Sequence, residues 1–321
     1  MADTRISGLA AFSALDIDDD LLVGVDVSDT SMAASGTTKR FSPEVLLALR
    51  TTAPQLRLTT ETGVPNSTND RTSQGTLRAA TCLPNGLYTG GVGFVTTWTG
   101  TRRRVQQVGN LGVSLAVTAA KNYDVFLKDS DLSLVLSSAW TDDTTRADAI
   151  TYVEGLPVAN ADNTYLWLGT IRASGANVIE DSAAKRYVWN AHNRVRRPLL
   201  KSDSTSHTYD SATYRYFNAD SSNNVECVLG EAQNAAIFLN GDATSGTGGS
   251  PSLPITALGY DWTSGFPDGA LLYFGANRNA HFNALMKTIG LGYHYLALLE
   301  SDALSLTSTF DSIKASVDLV I

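Results

Sequence analysis

The chain has 321 residues, enough for about two domains of ordinary size. Only 17% of them are charged, and 24 basic against 32 acidic side chains leave a formal charge of −8, which disfavours a nucleic-acid backbone as the main partner. No apolar run reaches the ~20 residues of a membrane helix, and the first residues lack the basic-then-apolar layout of a signal peptide, so no membrane role is expected. Cys82 and Cys227 stand alone, which excludes a disulfide-dense scaffold or a Cys-rich zinc module.

Near the start, Leu21, Val23, Val25 and Val27 alternate with polar residues, the period-2 pattern of a half-buried strand. After a loose Ser/Ala/Gly stretch, Ser42 is an N-cap, Pro43 suits the first helical position and Glu44 favours the positive end of the helix dipole. These predict a short helix from Pro43 to about Arg50, ended by Thr51-Thr52-Ala53-Pro54. One strand and one short helix cannot bury a core alone. Their apolar residues need a surface on another chain or on the rest of this one, and residues 1–52 are read as a docking segment carrying Ile6, Leu9, Leu21, Val23, Leu46 and Leu49.

From Gln55 onward, short strand-like runs follow one another: Gln55–Leu58, Gly75–Ala80, Gly86–Thr89, Gly93–Trp98, Arg103–Val108, Leu111–Val117, Tyr123–Lys128 and Leu132–Leu136. Punctuation by Gly, Pro, Asn and Asp argues for a sandwich or barrel. Asp142 to Ala149 is the one helical-looking piece of this region. Beyond Pro198, further short strands are expected around Tyr214–Phe217, Asn224–Gly230 and Ala235–Asn240, then a flexible loop from Asn240 to Pro251. Leu271–Gly275, Gly292–Glu300 and Ile313–Val320 supply the closing strands. The expected fold is mainly β: the docking segment, then two antiparallel β-sandwich, jelly-roll-like domains over 53–200 and 201–321, with few short helices.

Two stretches carry a resemblance. Ile6-Ser7-Gly8-Leu9, Asp20-Leu21-Leu22, Gly36-Thr37-Thr38-Lys39-Arg40 and the Ser-capped Leu-rich segment after them look like the N-terminal segment of tailed-bacteriophage fibre and appendage proteins. Over about 56–200, Tyr123-Asp124-Val125-Phe126, Ala139-Trp140-Thr141-Asp142-Asp143-Thr144-Thr145-Arg146-Ala147, the run from Tyr165 to Arg172, the run from Glu180 to Asn190, and Asn193-Arg194-Val195-Arg196-Arg197-Pro198-Leu199 resemble, in order and spacing, a module of phage and prophage structural proteins. The chain departs from that module at Ala191-His192, where a typical member carries paired aromatics. Gly292-Tyr293-His294-Tyr295-Leu296-Ala297 extends the likeness towards the end. The resemblance implies a non-enzymatic virion protein, an oligomeric fibre, spike or decoration held through its N-terminus, with other virion proteins (portal, neck, tail or capsid) as partners. A homotrimer is the expected oligomer. The alternative is a receptor-binding protein whose C-terminal domain holds a host surface glycan.

Chemistry in the sequence is sparse. Asp16 to Asp20 mimics the start of a calcium loop, but Leu21 and Val27 stand where Gly and Glu are needed. His192, His207, His281 and His294 have no ligand spacing, and no metal or cofactor is expected. Arg102-Arg103-Arg104 reads as a solvated strand edge. Asp142-Asp143 and Glu180-Asp181 are adjacent in sequence, which does not set two carboxylates across a cleft. Among the tryptophans, Trp262 lies in a turn-rich loop and is the candidate glycan contact.

Overall fold

A computed structural model describes residues 22–26, 37–41, 53–245, 254–263, 273–275 and 281–321. The chain is mainly β and built of sandwich-like layers, as the alternation and turn punctuation predict. At the start, Leu22–Asp26 pairs antiparallel with Thr37–Phe41, Val23 opposite Arg40. The expected helix at 43–50 and the docking residues Ile6, Leu9, Leu21, Leu46 and Leu49 lie outside the described residues.

One large sheet forms the middle of the body. Its strands Asn122–Lys128 and Tyr165–Gly175 pair along most of their length and are buried on both faces. Alternation sorts their side chains. Tyr123, Val125, Leu127, Leu166, Leu168 and Ile171 point into one core, whose far wall is the small sheet Leu56–Thr59, Thr76–Thr81 and Leu111–Ser114. Phe126 and Trp167 point into the other core, beside Trp189, Val225, Leu296 and Leu298. The wall across that second core is a sheet ordered Arg196–Asp203, Ser308–Val320, Gln233–Ser245, His281–Ile289. It contributes Leu199, Ile237, Leu239, Ala315, Val317 and Leu319.

A register shift between Trp167 and Gly169 interrupts the pairing of Tyr165–Gly175 with Asn122–Lys128. Gly169 is required there: a Cβ on it would sit 2.1 Å from the backbone oxygen of Trp189. Among the described residues the ladders are antiparallel apart from a short parallel pair, Lys185 beside Glu226 and Arg186 beside Cys227.

Three local expectations are corrected. Residues 142–149 form no helix; the Asp142 side chain accepts from the amides of Thr144 and Thr145, a helix-start signature that closes only a turn. The supposed loop after Asn240 is strand as far as Ser245, because Gly241 to Ser245 still pair with the last strand. Gly86–Thr89 supplies only an isolated bridge, Tyr88 to Cys82.

Candidate functional site

The motif residues singled out in the sequence, scattered along it, converge in the body. Asp124 is 1% exposed and sits at the centre of the first group. Trp140 Nε1 donates to its Oδ2 at 2.9 Å, Trp167 Nε1 to Oδ1 at 3.1 Å and Thr170 Oγ1 to Oδ1 at 2.7 Å. Arg146 Nε lies 3.0 Å from Oδ2, and its Nη2 donates to the Gly230 carbonyl at 2.6 Å. The same guanidinium stacks 5.0 Å from the Trp140 ring and 4.7 Å from the Trp167 ring. A buried carboxylate needs this saturation, since charge taken from water is costly unless paired and hydrogen-bonded. Burial nonetheless pushes the Asp124 carboxyl up, opposed by Arg146 and by the Thr170 and Trp140 donors.

A second group surrounds Asp181, which takes Arg186 Nη1 at 3.1 Å on one oxygen and Arg197 Nη1 at 2.9 Å on the other. Arg197 Nη2 then donates to the Ser67 carbonyl. Next to it Asn190 Oδ1 accepts from the Leu58 amide at 2.6 Å, while Asn193 Nδ2 donates to the carbonyls of Pro54 and Leu56. Arg57 is 2% exposed and donates to the carbonyls of Pro65, Asn193 and Ile321. A third group joins Arg172, held by Asn122 and Asp143, to Tyr293, whose ring lies 3.5 Å from the guanidinium carbon. Tyr293 and Tyr187 both donate to Glu226.

The carboxylate pairs are therefore occupied by local partners. Asp142 caps a turn, Asp143 holds Arg172, Asp181 bridges two arginines and Glu180 accepts from Ser182. Within the basic run, Arg104 pairs with Asp129 and Arg103 with Glu154 at 3.5 Å. His294 stacks on Tyr260 at 5.2 Å, and His207 reaches the wholly buried Glu300 at 2.5 Å. Among the described residues no three His, Cys, Asp or Glu side chains gather as a metal site, and no helix is long and apolar enough to cross a membrane.

Trp262 is half-buried, its ring edge-on to Tyr214 at 6.1 Å and packed beside a small cluster of Ile255, Ala257, Ala297 and Leu299. Sequence reasoning singled it out and passed over two clefts elsewhere. One, of about 440 Å³, has Phe126, Tyr165 and Ala159 for apolar surface and Ser137, Asp148 and Asp162 for polar groups. The other, of about 190 Å³, opens at Ala191-His192, the point of departure from the phage-like module, and is lined also by Trp167, Arg194, Glu231 and Tyr152. Smaller side chains at 191 and 192 were the available signal for a cavity there.

In that smaller pocket His192 Nε2 lies 3.1 Å from the Trp167 carbonyl, which fixes the proton on Nε2. Burial pushes the imidazole down from 6.5 to about 4. The folded state then resists a proton that the unfolded chain takes up below about 6.5, so stability is full above that pH and is lost as pH falls towards 4. Full linkage would amount to about 2 kcal/mol by pH 5; pocket solvent on the half-buried ring reduces the expected loss to about 1 kcal/mol. Urea unfolding at pH 7.5 and 5 should show that loss in the native chain and a smaller one in His192→Gln. Equal slopes would refute the assignment.

No protein-family model matches the chain, and neither does any curated protein. Among solved structures, the chain is similar at 8% identity to dimeric latent PorU from Porphyromonas gingivalis, with a TM-score of 0.27 over 84% of this chain and 24% of that one. It is also similar to infectious bursal virus derived T=1 particles, at 11% identity and a TM-score of 0.26 over 84% of this chain and 66% of that one. The Cry4Aa toxin from Bacillus thuringiensis follows at 9% identity and a TM-score of 0.23, over 85% and 59%. The chain thus spans about a quarter of the PorU chain. Overlaps this loose carry no argument about function.

Proposed function

We propose that the chain is a non-enzymatic structural protein of a tailed-phage virion, an oligomeric fibre, spike or decoration attached through its N-terminal residues. The observation that carries this reading is the use made of the phage-like motif. Asp124, Trp140, Arg146, Trp167 and Thr170 form one buried network, and Asp181, Arg186, Asn190, Asn193 and Arg197 form another. A motif spent on the internal framework of a β body suits a protein whose work is to hold a shape. Attachment would come from burying Ile6, Leu9, Leu21, Val23, Leu46 and Leu49 on a virion neighbour, each copy adding to the avidity of an oligomer. The test is binding of full-length protein to particles lacking it, against Leu46→Asp/Leu49→Asp. Loss of binding by the variant with an unchanged circular dichroism spectrum is expected; equal binding would refute N-terminal attachment.

A glycan-binding role is the second reading: the sequence expects it in the C-terminal domain at Trp262, and the cleft of about 440 Å³ in the preceding domain, with Tyr165 and the carboxylates Asp148 and Asp162 on its lining, is a rival place for it. Binding to a glycan array that falls with Tyr165→Ala and persists in Trp262→Ala would support that cleft, and the reverse pattern would move the role to Trp262.

A further inference from the structure

The cleft of about 440 Å³ is bounded by strands of the large sheet. On one side stands Leu134–Leu136, held beside Phe126 by the pairing of Val135 with it. On the other is the hairpin of Ile150–Val153 and Leu156–Ala159, with Asp148 just before it and Asp162 just after. Between them Phe126 and Tyr165 meet edge to face at 6.5 Å. The charged groups of the lining are of one sign: Asp148 and Asp162 belong to it, and no Lys, Arg or His does. Asp148 Oδ2 accepts from the Ala161 amide at 3.2 Å, which sets the two carboxylates on the same side, and Asp162 Oδ1 accepts from the amide and hydroxyl of Thr164. Neither carboxylate has an ion-pair partner among the described residues. The basic side chains of the adjoining strand and turn are engaged elsewhere. Lys128, opposite Tyr165 in the ladder, reaches Asp131 at 3.9 Å, and Arg146 is held by Asp124.

Charges of one sign at a cleft with apolar walls focus the field there and draw in the opposite ion. A bare divalent metal ion fits poorly, because it takes more oxygens than two carboxylates supply, and no third His, Cys, Asp or Glu gathers with them among the described residues. An aromatic surface adds its own attraction for a cation and shelters the hydrocarbon that carries it. We propose that this cleft binds an organic cation, with an ammonium group at Asp148 and Asp162 and its apolar or ring-shaped body against Tyr165 and Leu136. A neutral sugar would use the ring of Tyr165 and leave both carboxylates without a counter-charge. An amino sugar and a small amine bring the same ammonium, so the inference goes beyond the glycan reading and does not require it.

The test is calorimetric titration of the full-length chain at low ionic strength with hexylamine, hexanol and hexanoate, three probes that share one hydrocarbon body. Hexylamine is expected to bind at one site and at least tenfold more tightly than hexanol, with hexanoate weaker still. Asp148→Asn/Asp162→Asn keeps the acceptors for the Ala161 and Thr164 amides, so it should fold as the native chain does by circular dichroism. It should bind hexylamine at least tenfold more weakly, whereas Asp220→Asn, at an exposed residue elsewhere, should bind as the native chain. A second arm compares a tetramer of glucosamine with its fully N-acetylated form. Tighter binding of the glucosamine tetramer than of hexylamine would support a glycan as the source of the cation, and the opposite order would support a small amine. Equal binding of the two tetramers would overturn the cation and leave the glycan reading standing. Hexanol bound as tightly as hexylamine, an Asn variant that binds as the native chain does, or no binding of either cation would overturn the inference.

Discussion

Asp124→Ala is expected to lower stability by about 4 kcal/mol, measured by urea unfolding at pH 7. The substitution deletes the acceptor of three uncharged donors and the counter-charge of Arg146 while leaving all of them in place. Removing one partner of a buried ion pair costs about 3–5 kcal/mol because the other charge stays behind without compensation. Asp124→Asn keeps the shape and some acceptor capacity and should lose less. The double variant Asp124→Leu/Arg146→Met removes both charges and should recover part of the loss. A cost below about 1 kcal/mol for Asp124→Ala would mean that water reaches the site and that the network is not the keystone described above.

Arg57→Met is the second substitution with a large expected effect, about 3 kcal/mol by the same measurement. Arg57 ties three carbonyls that lie 8, 136 and 264 residues away in sequence. Met fills a similar volume, so the loss comes from buried acceptors left without donors, each worth about 1–3 kcal/mol. Burial and the neighbouring Arg197 hold the guanidinium down at about 10, still far above neutral, so the residue remains a charged donor at pH 7. Lys in its place should rescue little, because one ammonium cannot reach carbonyls arranged for a planar fork. Stability within 0.5 kcal/mol of the native chain would contradict this role.

Much of the β architecture was legible in the sequence because its strands alternate and its turns are marked. Gly93–Trp98 and Arg103–Val108 fall at their expected bounds, the hairpin being set off by Gly100 and by the glycines before it. The helix expected at 142–149 failed for a reason local propensity does not contain. Arg146 is drawn inward to Asp124 and Gly230, and Ile150 already begins a strand opposite Ala159. The strand through Gly241 to Ser245 reads as a loop by composition and is held by pairing to residues 308–313, far along the chain.

The motif positions were visible through resemblance, but their partners were not, since Asp124 meets Trp140, Arg146, Trp167 and Thr170 only after two strands and a turn have been laid together. The outward positions of the sheet that contains Ser308–Val320 were within reach of pattern reading. Pro198 and Leu200, then Lys314, Ser316, Asp318 and Val320, are the i, i+2 sets opposite the core residues. What the pattern lacked was which strands lie side by side.

The hydrogen bond from Arg57 to Ile321, with the mutual backbone bonds of Val195 and Ile321, brings the entry of the body and its last strand to one place. In mechanical terms this is a short circuit for force. A pull arriving through residue 53 does not have to travel the chain; it passes at once into Ser308–Val320, the strand that lies between Arg196–Asp203 and Gln233–Ser245 and is paired to both. A body wired in this way would share a tension applied at residue 53 across its interior strands instead of peeling from that end.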